Sequence, residues 1–131
     1  MLIEWEDAYV TGIDEFDNHH RKLFAMLNKS YHMIVAGSSQ QELEELLADL
    51  LDYIRYHFAA EEELMRAKEY RNIDRHVIEH INFTHRILSF EKEAREGGQF
   101  LPVEIFDYIR RWFLEHIVTV DVKMSRALLI R

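Results

Sequence analysis

Residues 43–64 read LEELLADLLDYIRYHFAAEEEL. Leu43, Leu47, Leu50, Ile54, His57, Glu61 and Leu64 recur at alternating steps of three and four, the spacing that aligns side chains on one face of an α-helix. The stripe predicts a helix from about Gln40 to Arg66 with one buried face. Two of its positions hold a histidine and a glutamate where an aliphatic side chain belongs. An isolated buried carboxylate is strongly destabilising, so Glu61 requires a partner.

The same periodicity extends along the chain in both directions. A first helix is announced by Asp14 and Asp17, both suited to capping, and carries Leu23, Phe24, Leu27, Tyr31 and Ile34. Gly37, Ser38 and Ser39 end it. His20 lies seven residues before Leu27, within about 20° of the stripe centre, whereas His19 sits roughly 80° away and is expected to face solvent. A third helix spans about Ile73 to Glu96, with Ile73, His76, Val77, His80, Thr84, Ile87 and Leu88 inward and Gly97 and Gly98 as its stop. A fourth begins after Pro102 and carries Ile105, Phe106, Ile109, Trp112, Phe113, His116, Ile117 and Val120.

Short connections between four such helices imply an all-α, antiparallel up-down-up-down four-helix bundle, preceded by an N-terminal loop of about twelve residues. In that arrangement His20 lies early in its helix, His57 late, His76 early and His116 late, so all gather at one end. Asp121 is the odd member. Five residues of regular α-helix advance by about 500°, leaving Asp121 some 140° from His116. For both to face one site, the backbone between Ile117 and Asp121 must contain a π-type bulge or a break.

Composition bounds the function. The chain has 131 residues, one domain's worth over residues 1–131, and 48% of them are apolar, with four glycines and one proline. That supports a packed helical core without a disordered or turn-rich region. Sixteen basic against twenty-four acidic residues give a net charge of −8, which opposes nucleic acid and anionic lipid as partners. With no cysteine, any metal must sit on nitrogen and oxygen donors. The first eleven residues, MLIEWEDAYVT, are not a secretory signal, and no segment could span a bilayer, so a cytoplasmic protein without membrane insertion is expected. Mixed charge on the outer faces suggests a monomer.

Five imidazoles and two carboxylates at one depth, namely His20, His57, Glu61, His76, His80, His116 and Asp121, describe a pair of transition-metal ions with bridging carboxylates. Without metal, each of those buried polar groups would need its own partner. Imidazole suits zinc, copper, iron and nickel, and a carboxylate-bridged pair with mostly nitrogen donors fits iron best among them. If Glu61 and Asp121 both bridge, five histidines divide three to two, and the poorer ion keeps an open position. His19, His32 and His85 read as solvent-facing or hydrogen-bonded at the helix boundary, Glu62 and Glu63 as a solvated face, and Trp5 and Tyr9 as pins for the N-terminal arm. Leu23, Trp112, Phe113 and Ile117 form the expected apolar pocket for a small ligand, while Phe24 and Phe58 are core.

The segments Gly12-Ile13 through Asp17-Asn18-His19-His20-Arg21-Lys22-Leu23-Phe24, then His57-Phe58-Ala59-Ala60-Glu61-Glu62, His76-Val77-Ile78-Glu79-His80, and Trp112-Phe113-Leu114-Glu115-His116 with Asp121, resemble the hemerythrins, in particular the single-domain bacteriohemerythrins. The resemblance covers nearly the whole chain, and departs from the common pattern at His19, where relatives often carry glutamine. It implies two iron ions, oxo- or hydroxo-bridged, with His76, His80 and His116 on one, His20 and His57 on the other, and Glu61 and Asp121 bridging. It further implies reversible O2 binding by a carrier, store or delivery protein rather than an enzyme, with an oxygen-consuming enzyme as the recipient. The alternatives are a di-iron oxidoreductase, with ferroxidase, peroxidase-like or nitric-oxide chemistry, and an oxygen or iron sensor.

Overall fold

Each apolar stripe finds a partner in the computed structural model, which describes residues 3–37, 39–96 and 102–129. Four long helices, α1 (Asp14–Val35), α2 (Gln40–Ala67), α3 (Ile73–Arg95) and α4 (Pro102–His116), are followed by a π-helical turn, Ile117–Asp121, and a short α5 (Val122–Leu129). The described residues contain no strand. Helix α2 packs between α1 and α3, and α4 lies against α1. Phe83 of α3 stacks on Trp112 of α4 at 3.9 Å, which closes the four-helix bundle around its core.

That core is the sum of the stripes. Leu23 and Leu27 of α1, Leu50 and Ile54 of α2, Phe83 and Ile87 of α3, and Ile109 and Phe113 of α4 are all buried. Burying one such side chain contributes about 1.5–3 kcal/mol, which is why the stripe phase dominates weaker local preferences. In α3 the buried row is His76, His80, Phe83, Ile87 and Phe90. Leu88, expected inward, is exposed, because it sits about 100° around the helix from Ile87. Ile78 and Ile81 are exposed on the same side of α3 as Leu88, so this outer face is more apolar than the sequence suggested.

The helix ends show how the chain is punctuated. Ser39 accepts from the Glu42 backbone N–H while the Glu42 side chain accepts from the Ser39 N–H, a reciprocal cap that starts α2. Gly37, at φ 80°, follows the end of α1 as expected, while Ser38 and the predicted stop at Gly97 and Gly98 fall outside the described residues. Asp14 and Asp17 do not cap α1; its N-cap is Ile13, which makes no side-chain cap bond. Asp17 instead accepts from the backbone N–H and the hydroxyl of Thr11, at 2.9 and 2.8 Å. The charge is used to anchor the preceding loop, because a buried carboxylate takes the nearest unpaired donors.

The N-terminal arm is fastened at two further points. The Asn28 side chain both accepts from the Ile3 N–H, at 2.7 Å, and donates to the Ile3 carbonyl, at 2.9 Å. Trp5, Tyr9 and Phe24 pack as a three-ring cluster with centroids 5.2–5.8 Å apart, so the expected aromatic pins are in place. No helix among the described residues is long and apolar enough to cross a membrane.

Candidate metal centre

Five elements contribute to one end of the bundle. His20 comes from α1, His57 and Glu61 from α2, His76 and His80 from α3, His116 from the end of α4, and Asp121 from the π turn. None of the seven is more than 3% exposed. Asp121 Oδ1 lies 3.0 Å from His116 Nε2 and 3.1 Å from His76 Nε2, and its Oδ2 lies 3.1 Å from His20 Nε2. Glu61 Oε1 is 3.3 Å from His80 Nε2, 3.5 Å from His57 Nε2 and 3.7 Å from His76 Nε2.

These donors form two overlapping groups that could each hold a metal ion. One is Glu61, His76, His80, His116 and Asp121; the other is His20, His57, Glu61 and Asp121. Both carboxylates belong to both groups. The fit to metal is visible in what the atoms lack: both oxygens of Glu61 and of Asp121, and Nε2 of His76, His80 and His116, are buried without a hydrogen-bond partner among the described residues. So many orphaned donors and acceptors pointing at one spot would be strongly destabilising unless a cation lay among them.

The π turn makes the convergence possible. The Val122 N–H bonds to the carbonyl of Ile117, five residues back, the hydrogen bond of a π-helix. The wider turn lets His116 and Asp121, five apart, share a face that a regular helix would deny them. Val120, expected inward, is only half-buried, because the extra residue rotates the inward position on to Asp121.

The ionisable groups of the site perturb one another strongly. Burial pushes Glu61 well above the usual carboxylate range, and the neighbouring Asp121 charge adds to it. Burial opposes a charge on His76, but its contacts with Asp121 and Glu61 outweigh this and raise it to about 10. His80 is pushed down to about 2 by burial and by His76 and His116, and His57 falls well below the imidazole range through burial and His20. Asp121 is buried, yet His116, His20 and His76 hold it well below the usual carboxylate value. Burial and these contacts thus favour a charged His76 beside an ionised Asp121 and bias Glu61 toward its neutral form.

Two residues assigned to solvent belong to the surroundings of this site. His19 is 6% exposed, with Nδ1 2.8 Å from Nδ1 of His57. The single-stripe reading missed it because α1 is flanked by both α2 and α4, which widens its buried arc; Phe16, His19 and Leu23 form a second row at steps of three and four. Glu62 accepts from His80 Nδ1 at 2.9 Å, although it stands in a run of acids that reads as a solvated face. Its position, one residue round from Glu61 on the side of α3, was the available signal. His32, His85 and Glu63 are exposed as expected.

Aromatic rings sheathe the donors. Phe58 stacks on His80 at 3.7 Å, nearly parallel, and Trp112 stacks on His116 at 4.3 Å. Leu23, Phe113 and Ile117 are fully buried in the same apolar cluster, against which half-buried Trp112 packs.

Residues 11–128 match the family model described as the hemerythrin HHE cation-binding domain. The chain is 31% identical over 124 residues to a bacteriohemerythrin of Clostridium acetobutylicum, covering 92% of this chain and 96% of that one. It is 33% identical over 118 residues to a bacteriohemerythrin of Stenotrophomonas maltophilia, covering 88% of this chain and 74% of the other. A crystal structure of wild-type hemerythrin superposes with a TM-score of 0.90 over 98% of both chains, at 27% identity.

Proposed function

The chain belongs to the hemerythrin family, and from that membership and its donor set we propose that it holds two iron ions and binds O2 reversibly. His76, His80 and His116 would hold one ion, His20 and His57 the other, and Glu61 and Asp121 would bridge them. The single observation that carries this reading is that the three-histidine and two-histidine groups share both carboxylates. Ferrous ions held there would supply the electrons that reversible O2 binding borrows and returns.

The chain's own residues account for the reversibility. Five neutral imidazoles and two carboxylates place less negative charge on the site than a carboxylate-rich donor set, which favours return to the reduced state. Leu23, Phe113, Ile117 and the face of Trp112 keep water and anions away, so the bound gas meets an apolar wall. The acidic balance, −8, opposes polyanionic partners. In this reading the chain acts in the cytoplasm as an O2 carrier, store or delivery protein.

Reconstitution of the metal-free chain with ferrous iron under nitrogen tests the proposal. The expected result is two irons per chain and a visible absorption band that appears in air, disappears under vacuum, and does so through repeated cycles. One-way oxidation with release of peroxide would overturn it in favour of a di-iron oxidoreductase.

A further inference from the structure

His19 and His57 meet through their Nδ1 atoms at 2.8 Å, on perpendicular rings with centroids 5.0 Å apart. Two ring nitrogens at that distance share one proton, so one ring donates and the other accepts. We propose that His19 is the acceptor, and that it fixes His57 in the tautomer whose Nε2 lone pair is free to bind metal. The inference rests on the metal reading above and adds a positioning residue outside the donor set.

Observations on opposite sides of the pair set the direction of the bond. On the inner side, His57 Nε2 lies 3.0 Å from His20 Nε2 and 3.5 Å from Glu61 Oε1, within the two-histidine donor group. A ring that gives its Nε2 lone pair to a cation carries its proton on Nδ1. On the outer side, His19 Nε2 faces the Glu15 carboxylate at 3.9 Å. A negative charge there draws the single proton of a neutral His19 to Nε2, which leaves Nδ1 as a lone pair pointing at His57. The two tautomers are complementary, and the reverse assignment would aim an N–H at the donor cluster.

Packing holds His19 in this pose. The rings of Tyr53 and Tyr56 lie 6.0 and 5.2 Å away and that of Phe16 6.1 Å away, while the Lys22 ammonium sits over Tyr53 at 4.6 Å. Burial limits the water that could replace the acceptor. The bond is also the counterpart of one on the other ion: His80 Nδ1 meets the Glu62 carboxylate, whereas Nδ1 of His20, His76 and His116 has no hydrogen-bond partner among the described residues. Each proposed ion therefore has one histidine oriented from outside, by an anion on the three-histidine side and by a neutral imidazole on the two-histidine side.

Zinc serves as a diamagnetic probe for the test, on the full chain. In 15N spectra of the zinc-loaded wild type, His57 should show a protonated Nδ1 with a nitrogen–nitrogen coupling across the bond to His19. In chelator competition, His19→Leu should weaken the less tightly held zinc by about ten- to a hundredfold. His19→Gln, whose amide oxygen can accept the same proton, should restore the affinity. A His57 proton on Nε2, an absent coupling, or a folded His19→Leu chain that binds zinc like the wild type would overturn the inference. The spectra need only the wild type, so they decide the matter even if His19→Leu fails to fold. A wild-type chain that takes up no zinc at all is a distinct result, which overturns the metal reading and this inference with it.

Discussion

Raising the pH should destabilise the metal-free chain in a way that bound metal abolishes. His76 stands at about 10 in the folded metal-free protein, raised from 6.5 by Asp121 and Glu61 against the effect of burial. A group whose folded value lies above its unfolded one contributes stability that is complete below the unfolded value and is lost as pH rises through the folded one. The window therefore runs from about 6.5 to about 10. Glu61, also raised, acts with the same sign, and Asp121, held low, takes nothing away above neutrality. At about 1.4 kcal/mol per pKa unit, the His76 shift corresponds to a loss of a few kcal/mol, up to about 5. For a chain of this length, 1 kcal/mol moves the melting temperature by roughly 3–4 °C, so a fall of about 10 °C or more is expected across the window. Thermal melts followed by circular dichroism at constant ionic strength, with and without metal, would measure it. The loaded protein has His76 Nε2 committed to the ion and should melt at a nearly constant temperature, and His76→Gln should be less stable at neutrality with a shallower slope, the remainder coming from Glu61. A metal-free wild type that melts unchanged through this range, or a His76→Gln variant with the same slope, would refute the reasoning.

The raised His76 predicts that metal loading at about pH 8 releases its proton, about one per loaded site; titration calorimetry in buffers of different ionisation enthalpy counts it, and a loading that releases none contradicts the assignment. Gly12 sits at φ 88°, and a Cβ there would lie 2.9 Å from Leu129 Cδ1, so Gly12→Ala should cost about 1–3 kcal/mol in a denaturant titration while leaving metal stoichiometry unchanged. Thr119 is exposed within the π turn. Its deletion would put the aspartate four residues after His116 in a regular helix, so the shortened chain should fold and keep its ligand inward, whereas an alanine inserted after Thr119 should turn Asp121 by about 100° and abolish metal uptake.

Most of the fold was legible because the helices carry their burial in phase. The stripe from Leu43 to Leu64 defined α2, and the intrusion of His57 and Glu61 into it pointed to the site before any contact was known. What escaped were features without periodicity or with two competing readings. Asp17 resembles a cap in sequence, but its partner is chosen by the path of the loop at Thr11, which no spacing encodes. Glu62 is hidden in an acidic run, and the same residue type serves a solvated face or a histidine partner depending on the distance to α3. His19 was misplaced because one stripe was assumed where the helix has two packed neighbours.

The π turn was legible for a different reason, and its consequences extend past the ligand that revealed it. Continuing α4 without interruption from Ile109, Phe113 and Ile117 would bury Val120 and Ala127, yet both are only half-buried. Asp121 and Leu128, each one residue later, are buried instead, and so is Ser125. The inserted residue therefore re-phases all of α5, and Met124 and Leu128 pack into a second apolar cluster with Phe16, Met65 and Tyr70. Burial of those side chains offsets the poorer hydrogen bonding of the wide turn by several kcal/mol at about 1.5–3 kcal/mol each. The irregularity that brings Asp121 to the donors is thus held in place by apolar packing beyond the site. It follows that the turn belongs to the fold as well as to the site, and that apolar packing helps to hold the last ligand in position.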